Sequence, residues 1–419
     1  MATASLKRND RLGSIAIWSA ALVLCLLVLA DALSRSAETS APPAALRLNP
    51  WNADARVASI SAGLTAQASD PPDLGGMAAA AERGLWIAPV DARFRSLLGE
   101  VRQRQGDSAA AQQFFIDAQR VSPTELHALG QLILAAGSRG DVAEAVRLLD
   151  VMLRRWPDEL KAVEPALPDL LASAEGQQAV LDVLRSDPPW RSRLLSALAR
   201  SDAGLPPASQ LLLDLAGSAT PPTAGEISTV VNGFLRAKRY DDAHRLFLLT
   251  LSEADFARTG LIHNGRFEVA ASPSPFNWQF ASTSAAEVRL DGAPPYAGAG
   301  VRFLNKPARD IRLRQTILLA PGRYRFSVDA SAVSLVIPRG IYWSVRCLAP
   351  SREIARVNID PGTYRDRSLV TEFAVEDCAA QSVELRSGLV ADSWVYRYSG
   401  RVTFHSLGIE RLDSATSSN

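Results

Sequence analysis

The chain has 419 residues, a length that suggests two or three domains. Hydrophobic residues make up 47% of it, which is enough for sizeable cores. A formal net charge of +1 gives no global electrostatic argument for nucleic acid, which we exclude as an expected partner.

The first predicted element is an uncharged apolar stretch from Gly13 to Ala30. A membrane-spanning helix needs about 20 mostly apolar residues, and the segment 13–33 meets this requirement. Because positively charged residues stay on the cytoplasmic side, the basic segment 1–12 is predicted to be a cytoplasmic tail. The rest of the chain would then be exported.

Two fates of this stretch remain open. As a transmembrane anchor, residues 13–33 would make the chain a single-pass protein of a bacterial inner membrane, with its bulk in the periplasm. The bacterial assignment follows from a composition rich in Ala, Arg and Pro together with the short positive tail. As a signal segment it would be cleaved at Ala30-Asp31-Ala32, and the chain would be secreted to the periplasm.

Composition divides the remainder of the chain. Residues 34–45 are rich in small residues and proline, which predicts a linker. Residues 46–258 carry Ala, Leu and charged residues at helical spacing, and residues 260–412 carry alternating patterns and Gly-Pro turns. The fold class is therefore multidomain, α then β. Residues 413–419 are predicted to be a disordered tail.

The helical half contains an internal repeat of 34 residues. Pro89, Pro123 and Pro157 follow one another at this spacing, and so do Gly106 and Gly140. Residues 87–157 resemble tetratricopeptide repeats, which have this period and form an α-solenoid. The resemblance implies a concave face for a protein partner, with a simple spacer as the alternative.

The resemblance also assigns packing roles within the repeats. Ile133 and Met152 depart from the family pattern, which prefers Gly and Ala at these positions. Small side chains let helices approach, large ones fill the space between repeats, and proline ends a helix. The positions that match the pattern are Leu98, Gly99, Ala111, Phe115, Ala118, Pro123, Leu132, Ala145, Leu149 and Pro157.

The C-terminal half has the pattern of an antiparallel β-sandwich. Arg312 and Arg314 alternate with apolar residues, and Ile341, Trp343, Val345 and Cys347 share the opposite kind of face, pointing to a core. Several short strands in about 150 residues are typical of a jelly roll or sandwich.

The opening of this half resembles a known family. It contains Asn264-Gly265-Arg266-Phe267-Glu268 and then Trp278, and its last predicted strand runs through Val402-Thr403-Phe404. These features are similar to carbohydrate-binding modules with a galactose-binding-like jelly roll. The resemblance implies a sandwich fold and a glycan ligand.

The cysteines support export. Cys25 lies in the apolar stretch, which leaves Cys347 and Cys378 as a pair. An even number in an exported region favours a disulfide over two free thiols.

No catalytic, cofactor or metal site is predicted. The four histidines have no partner at metal-ligand spacing, and no Gly-x-Ser-x-Gly motif occurs. We therefore expect a protein that is not an enzyme. A glycan-acting enzyme would need paired carboxylates whose separation only the fold can set.

Aromatic residues outside the apolar alternation are candidates for stacking on sugar rings. Arg312 and Arg314 are candidates for contact with an acidic polysaccharide, although a solvated sheet face explains them equally simply. The run from Trp394 to Tyr398 is either an aromatic platform on one strand face or part of the sheet interior. The aromatic candidates are Tyr296, Tyr342, Trp394, Tyr396 and Tyr398.

Together these features predict a non-catalytic exported scaffold or accessory protein, in bacterial cell-envelope polysaccharide assembly or export. The repeats would dock a protein partner and the sandwich would contact glycan. The alternative is a protein–protein interaction scaffold with a purely structural sandwich.

Overall fold

The computed structural model describes residues 3–66, 73–268, 272–291 and 298–412, without the side chains of residues 3–17 and 291. The chain divides into two compact units, Met1–Leu160 (unit 1) and Lys161–Asn419 (unit 2). The candidate Tyr296 and the predicted tail 413–419 lie outside the described residues.

Unit 1 is helical. Most of its helices begin after an Asp or Asn whose side chain accepts a hydrogen bond from the first turn, as at Asp107 and Asp141. The helix α7 begins 34 residues after α5, and α8 begins 34 residues after α6. The helices are α1 Thr3–Ala37, α2 Pro42–Leu48, α3 Ala53–Thr65, α4 Leu74–Ile87, α5 Ala92–Arg104, α6 Ser108–Val121, α7 Leu126–Ser138 and α8 Val142–Arg155.

The predicted apolar segment lies in α1. Its part from Trp18 to Ala37 has 20 residues and a mean hydropathy of 1.8, and only 6% of it is buried. This helix is long and apolar enough to cross a membrane, a property that a signal sequence shares.

The segment 34–45, predicted as a linker, contains the end of α1 and the beginning of α2. The reason is a buried polar contact that its composition does not reveal. The Ser34 hydroxyl donates to the Ala45 carbonyl oxygen at 2.9 Å, and Asn52 Nδ2 donates to the Ser34 hydroxyl at 2.9 Å.

Glycines allow aromatic rings into the core of unit 1. A methyl group added at Gly99 would lie 2.6 Å from the Phe115 ring, and one at Gly84 would lie 2.2 Å from the Phe94 ring. Of the predicted packing residues, Ala145 and Pro157 are half-buried and Pro123 is exposed in the turn after α6. The others are buried: Leu98, Gly99, Ala111, Phe115, Ala118, Leu132 and Leu149.

Unit 2 begins with shorter, less regular helices. Two of them are joined by a buried ion pair, in which Arg191 Nε donates to Glu226 Oε1 at 3.0 Å and Arg191 Nη2 donates to Glu226 Oε2 at 3.1 Å. The helices are α9 Leu160–Val163, which starts at the unit boundary, α10 Leu167–Ala172, α11 Ala174–Leu184, α12 Arg191–Leu198, α13 Leu205–Ala216, α14 Ala224–Arg236, α15 Tyr240–Leu249 and α16 Glu253–Phe256.

The strands of unit 2 form two antiparallel five-stranded sheets. One has the order β1-β4-β9-β6-β7 (sheet A) and the other β2-β3-β10-β5-β8 (sheet B). The strands are β1 Gln279–Ala281, β2 Ala286–Asp291, β3 Gly298–Lys306, β4 Arg312–Ile317, β5 Gly322–Val336, β6 Ile341–Cys347, β7 Arg352–Ile359, β8 Gly362–Val375, β9 Gln381–Ser387 and β10 Tyr398–Arg411.

Aromatic residues fill the space inside the sandwich. Trp343 of sheet A lies with its ring centroid 5.7 Å from that of Trp278 and 5.2 Å from that of Phe404 in sheet B. The predicted disulfide between Cys347 and Cys378 is confirmed, with their Cα atoms 5.8 Å apart.

The helices before the sandwich belong to the same compact unit. Secondary structure changes from helix to strand between α16 and β1, close to the predicted boundary at 259. Packing continues across that change, because Phe247 of α15 lies 5.5 Å from the Phe276 ring and 5.1 Å from the His263 ring. Helices α10–α16 therefore support the sandwich directly.

Candidate binding face of the sandwich

The outer surface of sheet A brings together three of the predicted candidates. Strand alternation buries Leu313 and Trp343 and turns Arg312, Arg314 and Tyr342 outward. We call this outer surface the arginine face. It consists of Arg312 and Arg314 from β4, Tyr342, Ser344 and Arg346 from β6, Arg356 from β7, and Glu384 and Arg386 from β9.

Strand register places these side chains beside one another. Arg314 lies opposite Glu384, and Glu384 lies opposite Ser344 on the next strand. One row away, Arg386 lies opposite Tyr342. Directly opposed residues in an antiparallel sheet are close enough for their side chains to interact.

Two carboxylates neutralise only part of the positive charge. Glu384 Oε1 accepts from Arg386 Nη1 at 2.8 Å and lies 3.2 Å from Arg346 Nε, so one acidic group serves two guanidinium groups. The second carboxylate, Glu353, accepts from Arg356 Nε at 2.9 Å and from the Ser344 hydroxyl at 2.9 Å. Cationic groups therefore remain in excess on this face.

The pKa shifts agree with this arrangement. Burial by itself would raise the pKa of Glu353, but hydrogen bonds from Arg356 and Ser344 outweigh it and hold that pKa below its ordinary value. The hydrogen bond to Glu384 raises the pKa of Arg386. These groups are therefore charged at neutral pH.

Arg314 is the cation with the freest guanidinium group. Arg312 is paired with Asp310 at 2.9 Å, whereas Arg314 has no hydrogen bond or ion pair within the described part of the chain. An exposed guanidinium group offers a planar set of donors that matches a carboxylate.

Tyr342 supplies an aromatic surface among these charges. Its half-buried ring carries the Arg356 guanidinium carbon 3.8 Å from the ring centroid, a cation–π contact. This contact fixes the ring in place on the face.

A groove of about 440 Å³ runs beside the arginine face. Helix α14 forms one wall with Asn232 and Leu235, and the sheet forms the other. The sheet residues that line it include Gln279, Arg314, Arg346, Glu384 and Arg386. An adjoining groove of about 390 Å³ follows β1 and β4 and includes Arg312.

The run from Trp394 to Tyr398 is not a single strand face. Strand β10 begins only at Tyr398, and Trp394 and Tyr396 belong to the turn before it. The prediction that Tyr398 contacts glycan is wrong, because this residue is fully buried against Phe303 and its hydroxyl donates to the Gly340 carbonyl oxygen. Tyr396 is half-buried under Arg339, and Trp394 is 62% exposed.

Sequence reasoning missed most of the arginine face. Arg346 and Arg386 alternate with buried residues just as Arg312 and Arg314 do, so the signal was present in β6 and β9. Nothing in the sequence indicated that α14 would border the same groove.

The described residues contain no group of three or more His, Cys, Asp or Glu side chains placed to hold a metal ion.

No family model and no curated protein matches the chain. Solved structures of carbohydrate-binding modules are similar to its C-terminal part. One is a family 4 module, 16% identical, with a TM-score of 0.28, covering 36% of this chain and 99% of that chain. A second is a family 61 module in complex with β-1,4-galactotriose, 16% identical, with a TM-score of 0.24, covering 37% of this chain and 99% of that one.

A third similar structure is a family 6 module from Clostridium stercorarium in complex with cellobiose. It is 10% identical, with a TM-score of 0.20, and the match covers 32% of this chain and 88% of that chain. At these TM-scores the similarity carries no argument about the ligand of this chain.

Proposed function

We propose that this chain is a non-catalytic, exported accessory protein whose sandwich binds an acidic polysaccharide on the arginine face. Export would place it in bacterial cell-envelope polysaccharide assembly or transport, anchored by α1 in the inner membrane. The helices of unit 1, which resemble tetratricopeptide repeats, would dock a protein partner.

One observation carries the glycan proposal: an unpaired Arg314 and the ring of Tyr342 lie on the same sheet face, beside an open groove. A polyuronate presents carboxylates at regular intervals and apolar ring faces between them. Arginines would pair with the carboxylates, and the tyrosine ring would stack on a sugar face. A neutral glycan would use only the second contact.

Two further observations support export. The Cys347–Cys378 disulfide is typical of an oxidising compartment. The apolar part of α1 has the length of a span or of a signal segment.

The test is a titration of the full chain in detergent with alginate, a polyuronate, and with neutral dextran. We expect alginate to bind more tightly, and Arg314→Ala and Tyr342→Ala each to weaken binding by about tenfold, or about 1.4 kcal/mol. Arg401→Ala is the matched control, because Arg401 is an exposed arginine on sheet B. Equal affinities for all three variants would refute the arginine face as the site.

A protein ligand for the sandwich is the second candidate. Val390, Trp394 and Val395 are 89%, 62% and 81% exposed and lie in the segment between β9 and β10. Such an exposed apolar loop suits a protein interface. Alginate binding that is lost in Trp394→Ala but kept in Arg314→Ala would instead move the glycan site to this loop, and no binding to any glycan would favour the protein ligand.

A further inference from the structure

An exposed aromatic pair lies in unit 1, away from its core. Trp51, between α2 and α3, is 61% exposed, and Trp86, in the last turn of α4, is 76% exposed. Their ring centroids are 5.8 Å apart, so two distant parts of the sequence build one apolar patch. Leu48 and Val90, 44% and 82% exposed, flank the pair in sequence. We call Trp51 and Trp86 the tryptophan patch.

The connection between α1 and α2 fixes where this patch lies along α1. The Ala45 carbonyl oxygen accepts a hydrogen bond from Ser34, and Asn49 Nδ2 donates to Asp31 Oδ1 at 2.7 Å. As α2 advances from Ala45 to Asn49, its partner on α1 moves back from Ser34 to Asp31. Helix α2 therefore runs antiparallel to α1 and returns toward the apolar stretch.

Trp51 follows Asn49 by two residues, so it lies at about the level of Asp31. Asp31 is the first charged residue after the uncharged stretch Gly13–Ala30. If α1 crosses a membrane, this level is where the helix leaves the hydrocarbon core. Tryptophan is enriched at this boundary, because its ring is amphipathic.

Charge beside the patch fits lipid headgroups. Arg56 Nη2 donates to the Pro50 carbonyl oxygen at 2.6 Å, next to Trp51, while Arg56 Nε is buried without a hydrogen-bond partner in the described residues. Burial, and then the neighbouring Arg83, lower the pKa of Arg56. Two guanidinium groups close together would be stabilised by a lipid phosphate.

We propose that Trp51 and Trp86 lie in the headgroup region of the membrane that α1 crosses, so that the first helices of unit 1 rest on the lipid surface. This inference depends on the anchoring part of the proposed function. It implies that α1 is retained, since cleavage after Ala32 would remove the Asp31 partner of Asn49 and the continuous support of the patch.

The test uses the full chain carrying Trp18→Phe, which removes the tryptophan of the apolar stretch. The protein is reconstituted in vesicles of phosphatidylethanolamine and phosphatidylglycerol, with and without lipids brominated near the headgroup end of their acyl chains. Bromine quenches only tryptophans that touch the bilayer. Trp190, Trp278 and Trp343 are buried in unit 2 and serve as the unquenched background.

We expect quenching in the Trp18→Phe chain, and loss of most of it when Trp51→Phe and Trp86→Phe are added. Adding Trp394→Phe instead should leave the quenching unchanged, although Trp394 is equally exposed. Amide hydrogen exchange in α5–α8 shows whether the variants keep their fold.

Flotation of the same vesicles separates the two hypotheses. A chain that floats but shows no quenching from Trp51 and Trp86 overturns the lipid contact and leaves the anchor standing. A chain that does not float, or a mature protein that begins at Leu33, overturns both.

Discussion

The two compact units are stabilised in different ways. Unit 1 packs by shape, as where Phe115 fits over Gly99, and its ion pairs, such as Arg147–Glu144, lie at the surface. Unit 2 adds buried directional bonds. Arg191 and Glu226 are 2% and 4% exposed, and His263 and Gln315 exchange two hydrogen bonds.

This difference follows from regularity. A repeat can use the same apolar contact again and again, because each helix meets its neighbour in the same geometry. The helices of unit 2 do not repeat and must also meet a sandwich. Polar bonds with defined directions, together with the Cys347–Cys378 disulfide, select one arrangement there.

The largest expected effect comes from breaking the buried ion pair. Burial by itself would raise the pKa of Glu226, but hydrogen bonds from Arg191, Thr223 and Ser192 outweigh it and hold that pKa below its ordinary value. Glu226→Ala leaves a buried guanidinium group without its partner and should lower the free energy of unfolding of unit 2 by about 3–5 kcal/mol. Denaturant unfolding followed by hydrogen exchange in α12 and α14 measures this.

The matched control in unit 1 is Glu144→Ala, which removes an exposed partner of Arg147 and should cost about 1 kcal/mol or less. Similar losses in the two variants would contradict the contrast between the units.

A smaller effect is expected from filling the space over a glycine in unit 1. Gly99→Ala places a methyl group 2.6 Å from the Phe115 ring and should destabilise unit 1 by about 1–3 kcal/mol. Gly130→Ala is the control, since Gly130 lies in α7 with nothing within 4 Å of the added methyl, and should stabilise by up to about 1 kcal/mol. Thermal unfolding of both variants decides it, and equal shifts would show that the ring over Gly99 can move away.

The smallest expected effect is a pH dependence confined to unit 2. Burial lowers the pKa of His263, with Asp255 opposing this and His244 adding to it, and burial also lowers the pKa of His244. The folded state then binds fewer protons than the unfolded state, whose histidines titrate near about 6.5. The free energy of unfolding of unit 2 should therefore fall as the pH drops below that value.

Urea unfolding at pH 7 and pH 5 measures this effect, and His263→Phe should make the dependence shallower. A variant that loses as much stability as the parent chain between these pH values would exclude His263 as its source.

Much of the fold could be predicted from the sequence because its signals are local. The apolar run of α1, the alternation in β4 and the cysteine pair each depend on near neighbours or on simple counting. The same logic gave Arg312, Arg314 and Tyr342 as candidates. It failed at Tyr398, because alternation continues only within a strand and β10 begins at that residue.

The sequence by itself determined the order of helices and strands, the apolar segment and the disulfide, since periodicity and composition act over a few residues. Only the tertiary structure decided that Arg314 would lie beside Glu384, that α14 would border the arginine face, and that Trp51 would meet Trp86. These contacts depend on strand register and on the packing of elements far apart in the chain, and no short-range pattern encodes them.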